Sequence, residues 1–123
     1  MNIDVFRQKM ASYRAIVDAE AKTLKDSYLA LDRLHTLYEN FDEDEQTLAD
    51  EVISEWALSE DEGLRFDALA LIDDFGIVNA VPTLRKLIDH LKSSSTPSAP
   101  YDLKKVNRII ARLKFNGVNA RKA

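Results

Sequence analysis

"LRFDALALIDDFGIVNAVPTLRKLI", residues 64–88, places Gly76 and Pro82 between two apolar stripes. Leu64, Ala68, Leu71 and Ile72 recur at the three- and four-residue spacing of one helix face. Gly76 then stands where a helix closes in the left-handed conformation that glycine adopts at little cost. Asn79 is placed to cap the next helix. Pro82 falls in that helix's first turn, where its missing N–H is not needed. Leu84, Leu87, Ile88 and Leu91 supply the second stripe. The stretch reads as a helical hairpin with arms near 60–75 and 80–92 packed antiparallel, burying Leu69, Ile72, Leu84, Leu87 and Ile88.

Upstream, the first 62 residues contain no glycine or proline, which favours long helices. Ile3, Phe6, Met10, Tyr13 and Val17, then Leu24, Leu31, Leu34, Tyr38 and Phe41, keep a helical period close to a heptad. Glu20 and Ser27 fall on seam positions, so a break near 18–23 is expected between helices of about 2–19 and 22–39. One long rod is the alternative. Tyr13, Tyr28 and Tyr38 read as packing residues, Tyr28 being the most exposed. Asp42 and Glu45 have capping-box spacing ahead of a stripe formed by Leu48, Val52, Ile53 and Trp56. Ser59 and Glu62 repeat that signal before the hairpin. Downstream, "SSSTPSAP" (93–100) reads as a flexible loop. A last helix of about 102–114 carries Leu103, Val106, Ile109, Ile110 and Leu113, and a tail follows at 118–123. No segment alternates with a period of two. The expectation is a single all-α domain.

The chain of 123 residues is 46% hydrophobic and 31% charged, ordinary for a globular protein. Without cysteine it forms no disulfide and has no thiolate chemistry. It shows neither a signal-like start nor a long apolar run, so the cytoplasm is the expected location. The net charge of −4 conceals strong polarity. Residues 1–38 carry six bases and five acids, 39–74 carry fourteen acids against Arg65 alone, and 75–123 carry ten bases against two acids. Such separation bears on partners and association rates more than on fold.

The sequence offers little catalytic chemistry: two histidines, no Gly-rich phosphate loop and no hydrolase or metalloprotease motif. Asp32, His35 and Glu39 share one helix face, but a metal site needs such groups to converge from several helices, so they read as local charge pairing. His90 reads as a surface residue. No catalytic, cofactor-binding or metal-ligating residue is assigned, and an enzyme is not expected. Lys104, Lys105, Arg108 and Arg112 share a helix face, with Lys114, Arg121 and Lys122 beyond. The acidic block nearby and the lack of a base-stacking aromatic among them argue against nucleic acid. Trp56 reads as core; partly exposed beside Glu51 and Glu55, it would instead suit an interface.

Residues 44–114 resemble HEAT-like repeats of the bacterial type. The resemblance rests on "SEDEGLRFDALALIDDFG" and "NAVPTLRKLIDHL" as the two helices of one repeat, with Arg65, Gly76 and the Ala80–Val81–Pro82 run in matching positions. "LADEVISEWAL" looks like the second helix of a preceding repeat, and "PYDLKKVNRIIARL" like the first of a following one. Residues 1–41 do not match the repeat pattern well and read as a helical cap over the open end of the stack, since a lone repeat cannot bury its apolar face, with a degenerate repeat as the alternative. A compact five-helix bundle is the alternative architecture. The resemblance implies a protein-binding module. By analogy of size, charge and fold, the chain looks like an immunity protein that neutralises a basic toxin; an adaptor or scaffold subunit is the alternative. A resemblance to HEAT-like bilin lyases is weakened by the missing cysteine. The candidate partner-binding residues are Asp44, Glu51, Glu55, Glu60, Asp61, Glu62, Asp73 and Asp74, because helix-start carboxylates serve capping whereas later ones are expected to have no structural need.

Overall fold

The computed structural model describes residues 2–25 and 28–121, with side chains described as far as residue 114. Ser27 and Lys122 lie outside the described residues, as does the side chain of Arg121. The helices are α1 (Ile3–Leu24), α2 (Leu29–Glu39), α3 (Glu43–Trp56), α4 (Glu62–Phe75), α5 (Val81–Lys92) and α6 (Ala99–Arg121). A 3-10 turn, Val78–Ala80, leads into α5, and no strand occurs among the described residues. The fold is all-α. The chain divides into two compact units, residues 1–52 and 53–123, with the division inside α3.

In the first unit α1 packs against α2, and Phe6, Met10, Val17, Ala21, Ala30, Leu34, Tyr38 and Phe41 are buried. The Phe6 and Phe41 rings meet at 5.0 Å in a tilted arrangement. α1 does not break at 18–23. After Val17 the buried position is Ala21, four residues on, so Glu20 sits beside the seam and lies 3.9 Å from Arg33. The helix ends instead at Lys25, which takes a left-handed φ of 56° and returns its N–H to the carbonyls of Ala21 and Lys22. Leu24 is consequently exposed rather than buried. Tyr28 is exposed, as the sequence suggests, and Tyr38 is buried. Asp42 and Glu45 close a reciprocal capping box: the Glu45 N–H donates to Asp42 Oδ1 (2.8 Å) and the Asp42 N–H to Glu45 Oε1 (3.1 Å).

In the second unit Asp61, not Ser59, caps α4 by accepting from the Leu64 N–H at 3.1 Å. Ser59 Oγ is occupied one step earlier, accepting from the Asp61 N–H (3.1 Å), and a carboxylate is the stronger acceptor at the positive end of a helix. Gly76 closes α4 at φ +64°, and its N–H and that of Ile77 both reach the Ile72 carbonyl. Nothing lies within 4 Å of the position a Cβ would take at Gly76. Gly76→Ala therefore loses only the left-handed preference and should destabilise by about 1–2 kcal/mol, measured by urea unfolding. A neutral substitution would show that the turn relaxes to another conformation.

Asn79 is exposed within the 3-10 turn and caps nothing; α5 starts after Ala80 without a side-chain cap, and Pro82 lies in its first turn. The turn feeds directly into the helix, with the Val81 N–H bonded to the Val78 carbonyl, so no capping side chain is required. α6 begins at Ala99, not 102, and continues through Gly117 to Arg121, so the expected tail at 118–123 is helical as far as 121. The 93–100 loop is correspondingly shorter. It is turned by hydroxyl contacts, Ser93 Oγ to the Asp89 and His90 carbonyls and Ser94 Oγ to Thr96 Oγ1.

The closest helix pairing in this unit is α5 with α6, and α4 also approaches α6. α6 is thus the shared packing partner of α4 and α5, and the direct antiparallel packing of those two helices expected from the 64–88 stretch is not among the main helix pairings of this unit's described residues. Leu69, Ile72, Leu84 and Leu87 are buried with Val106, Ile109, Ile110 and Leu113. Ile88 and Leu103 are only partly buried, each at the margin of its helix's apolar face, and Trp56 is also half-buried. No helix among the described residues is long and apolar enough to cross a membrane.

Candidate functional site

The acidic residues fall into three settings. Asp44, Glu51 and Glu55 occur at i, i+7 and i+11 on α3, a spacing that keeps them on one side of the helix, and all three are exposed. Glu60, Asp61 and Glu62 are exposed where the chain turns into α4, with Asp61 committed to capping. Asp73 is partly buried and pairs with Arg112, whereas Asp74 is exposed. The expectation that the later carboxylates have no structural need therefore fails for Asp61 and Asp73. Sequence spacing finds a cap at i, i+3, but a pair 39 residues apart needs the fold.

A second pairing not foreseen in the sequence joins Arg65 to Asp102. Their side chains are 14% and 21% exposed, with Nη2 and Oδ2 separated by 3.5 Å, and Arg65 Nη1 also donates to the Ser59 carbonyl (3.1 Å). Arg65, the one base of the acidic block, thus ties the turn before α4 to the first turn of α6. Asp67, on α4, is buried at 7% exposure, and among the described residues no buried side-chain polar atom lacks a hydrogen-bond partner.

One basic residue of α6, Lys105, lies beside an aromatic ring supplied by α4. Lys105 Nζ sits 4.4 Å from the centre of the Phe66 ring, and Tyr101, one turn before Lys105, is 71% exposed. Burial pushes the Lys105 ammonium below its usual range; Arg108 adds to that shift, while Asp102 and Asp73 oppose it. The Tyr101–Lys105 spacing was readable as i, i+4. The contribution of Phe66 from α4 was not.

Two shallow clefts flank Arg65. One, of about 280 Å³, is lined by Glu62, Gly63, Arg65, Phe66, Leu69, Ser98, Asp102 and Lys105. The other, of about 220 Å³, is lined by Glu60, Glu62, Arg65, His90, Leu91, Ser94 and Thr96. His35 Nδ1 lies 3.1 Å from Glu39 Oε1 on α2, and no cluster of three or more potential metal ligands occurs among the described residues.

In the first unit the Tyr38 hydroxyl donates to Asp50 Oδ1 at 2.6 Å, linking α2 to α3. Burial raises the Asp50 carboxyl above its ordinary range, and the Tyr38 bond partly offsets the shift by favouring the anion. A raised folded-state pKa means that Asp50 binds its proton more tightly in the folded chain. Its contribution to stability is full below the ordinary carboxylate pKa and is lost as pH rises through the raised value. Tyr38→Phe removes a donor to the anion, so it should cost about 1–3 kcal/mol near neutral pH and less in acid, where Asp50 is protonated. Chemical denaturation at the two pH values measures the difference; an equal loss at both would mean that only ring packing had changed.

Comparison with known protein families, characterised proteins and solved structures returned no match. Function is therefore argued from the surfaces themselves.

Proposed function

We propose that this chain is a protein-binding module that recognises a basic protein through its exposed carboxylates, most concretely as an immunity protein neutralising a toxin. The observation that carries this reading is the α3 face, where Asp44, Glu51 and Glu55 are exposed at spacings that align them and none of the three caps a helix. Aligned charge of one sign attracts an oppositely charged partner from a distance and penalises wrong ones. The test is affinity capture from the native host with wild-type and Glu51→Lys/Glu55→Lys baits, followed by co-expression of the captured protein to score growth. The expected result is a basic protein that only the wild type retains, and that is toxic unless the wild type is present. Equal retention by both baits would overturn the assignment of the surface.

The oppositely charged face of α6 favours a second reading, an adaptor that joins an acidic and a basic protein. A captured partner without toxicity, accompanied by an acidic one, would select it.

A further inference from the structure

The cleft of about 280 Å³ in the second unit is lined by Glu62, Arg65, Phe66 and Leu69 from α4 and by Asp102 and Lys105 from α6, so each helix brings both signs of charge to it. On the acidic side Glu62 continues Glu60 and Asp61, and Leu58 just before them is 43% exposed. On the basic side Arg108 follows Lys105 by one helical turn and Tyr101 precedes it by one. Phe66 itself is 46% exposed. One patch therefore holds an acidic half, a basic half and exposed apolar groups.

A twofold interface requires a patch to be complementary to its own rotated copy, each residue of one half meeting the other half of its partner. A patch with carboxylates at one side and cations at the other meets that requirement when Glu60 and Glu62 of one copy face Lys105 and Arg108 of the other and the reverse pair forms at the same time. We propose that two copies of this chain associate reciprocally through this patch, the Leu58–Glu62 turn of each lying on the Phe66–Lys105–Arg108 face of the other.

The internal ion pairs, Asp102 with Arg65 and Asp73 with Arg112, leave Glu60, Glu62 and Arg108 exposed, whereas Lys105 is partly buried against the Phe66 ring and adds its charge from there. Nor is a nucleic acid the better occupant. Its phosphates would approach the Glu62 and Asp102 carboxylates that line the cleft, and the Lys105 ammonium already lies against the Phe66 ring on which a base would stack. An apolar residue followed by carboxylates suits this face, and the chain carries such a segment in Leu58–Glu62. The acidic half overlaps the surface proposed to bind a basic partner, so such a partner would compete with the second copy. The dimer itself does not depend on that partner.

Sedimentation velocity on the full chain over a range of concentrations, at low and at high salt, provides the test, with circular dichroism verifying that each variant is folded. A concentration-dependent dimer is expected at low salt, dissociating as salt screens the charge pairs. Lys105→Glu/Arg108→Glu and Glu60→Lys/Glu62→Lys should each weaken self-association at least tenfold. An equimolar mixture of the two variants should restore the dimer, because both halves of the contact are complementary again. Lys105→Glu/Arg108→Glu leaves the acidic residues intact, so it should still bind the basic partner; dimerisation and partner binding are thereby tested separately. A wild-type chain that stays monomeric at low salt would overturn the proposal. So would dimers insensitive to the Lys105→Glu/Arg108→Glu reversal, a folded mixture that fails to associate, or open-ended assembly beyond the dimer.

Discussion

Leu87→Ala is expected to lower stability by about 2–5 kcal/mol, the loss found when a buried leucine is cut back to alanine and its cavity only partly collapses. Leu87 is 1% exposed on α5, the helix in closest contact with α6, and Leu84 beside it is fully buried. The deleted methyls therefore leave a void inside a packed layer. Ile88 is the internal control. It is the next residue on the same helix but only partly buried, so Ile88→Ala should cost clearly less. Urea unfolding of the two variants separates them. A loss below about half a kilocalorie at Leu87, or a larger loss at Ile88, would place the wrong face of α5 against the core.

Glu51→Lys/Glu55→Lys carries the largest expected effect on recognition. The double reversal replaces two negative charges with two positive ones on an exposed helical face, so a basic partner meets repulsion where it met attraction. Association should slow by one to two orders of magnitude, roughly the range that electrostatic steering spans within one interface. In the immunity reading, growth protection should be lost. Stability should change by no more than about half a kilocalorie, since neither residue is buried or caps a helix. Asp61→Lys makes the instructive contrast: it also reverses an acidic charge, but it removes the α4 cap and should cost about 1 kcal/mol in addition. Equal binding losses with equal destabilisation in both variants would attribute the effect to unfolding rather than to the surface.

What could be read from the sequence was what local physics decides. Gly76 announced a left-handed closure because few other residues adopt it, and Pro82 announced a helix start because only the first turn spares its N–H. The capping box of Asp42 and Glu45 was likewise visible as spacing alone. Errors arose where two local solutions compete. Ser59 and Asp61 both suit an N-cap, and the carboxylate took it while the hydroxyl secured the residue before. Glu20 looked like a break in α1, but the seam passes through Ala21, one position away, and leaves the glutamate beside it. The last helix, expected to end near 114, continues through Gly117, since a glycine inside a helix costs only about 1 kcal/mol, little enough for α6 to carry on to Arg121.

The candidate site was legible as charge and not as pairing. Counting acids found Glu51 and Glu55, which are exposed, but it ranked Asp73 with them although Arg112 holds it. The reverse omission concerns Phe66. A phenylalanine on α4 gives no sign in sequence of the lysine on α6 that lies over its ring, because only the approach of α4 to α6 brings them together.

The association rate of the captured basic partner, measured by stopped flow across ionic strength, tests the central claim most directly. For the wild type the rate should fall steeply as salt shortens the Debye length from about 30 Å at 0.01 M to about 8 Å at 0.15 M, and for Glu51→Lys/Glu55→Lys it should start low and depend much less on salt. Identical rates and identical salt dependence for the two proteins would contradict recognition through the acidic face of α3.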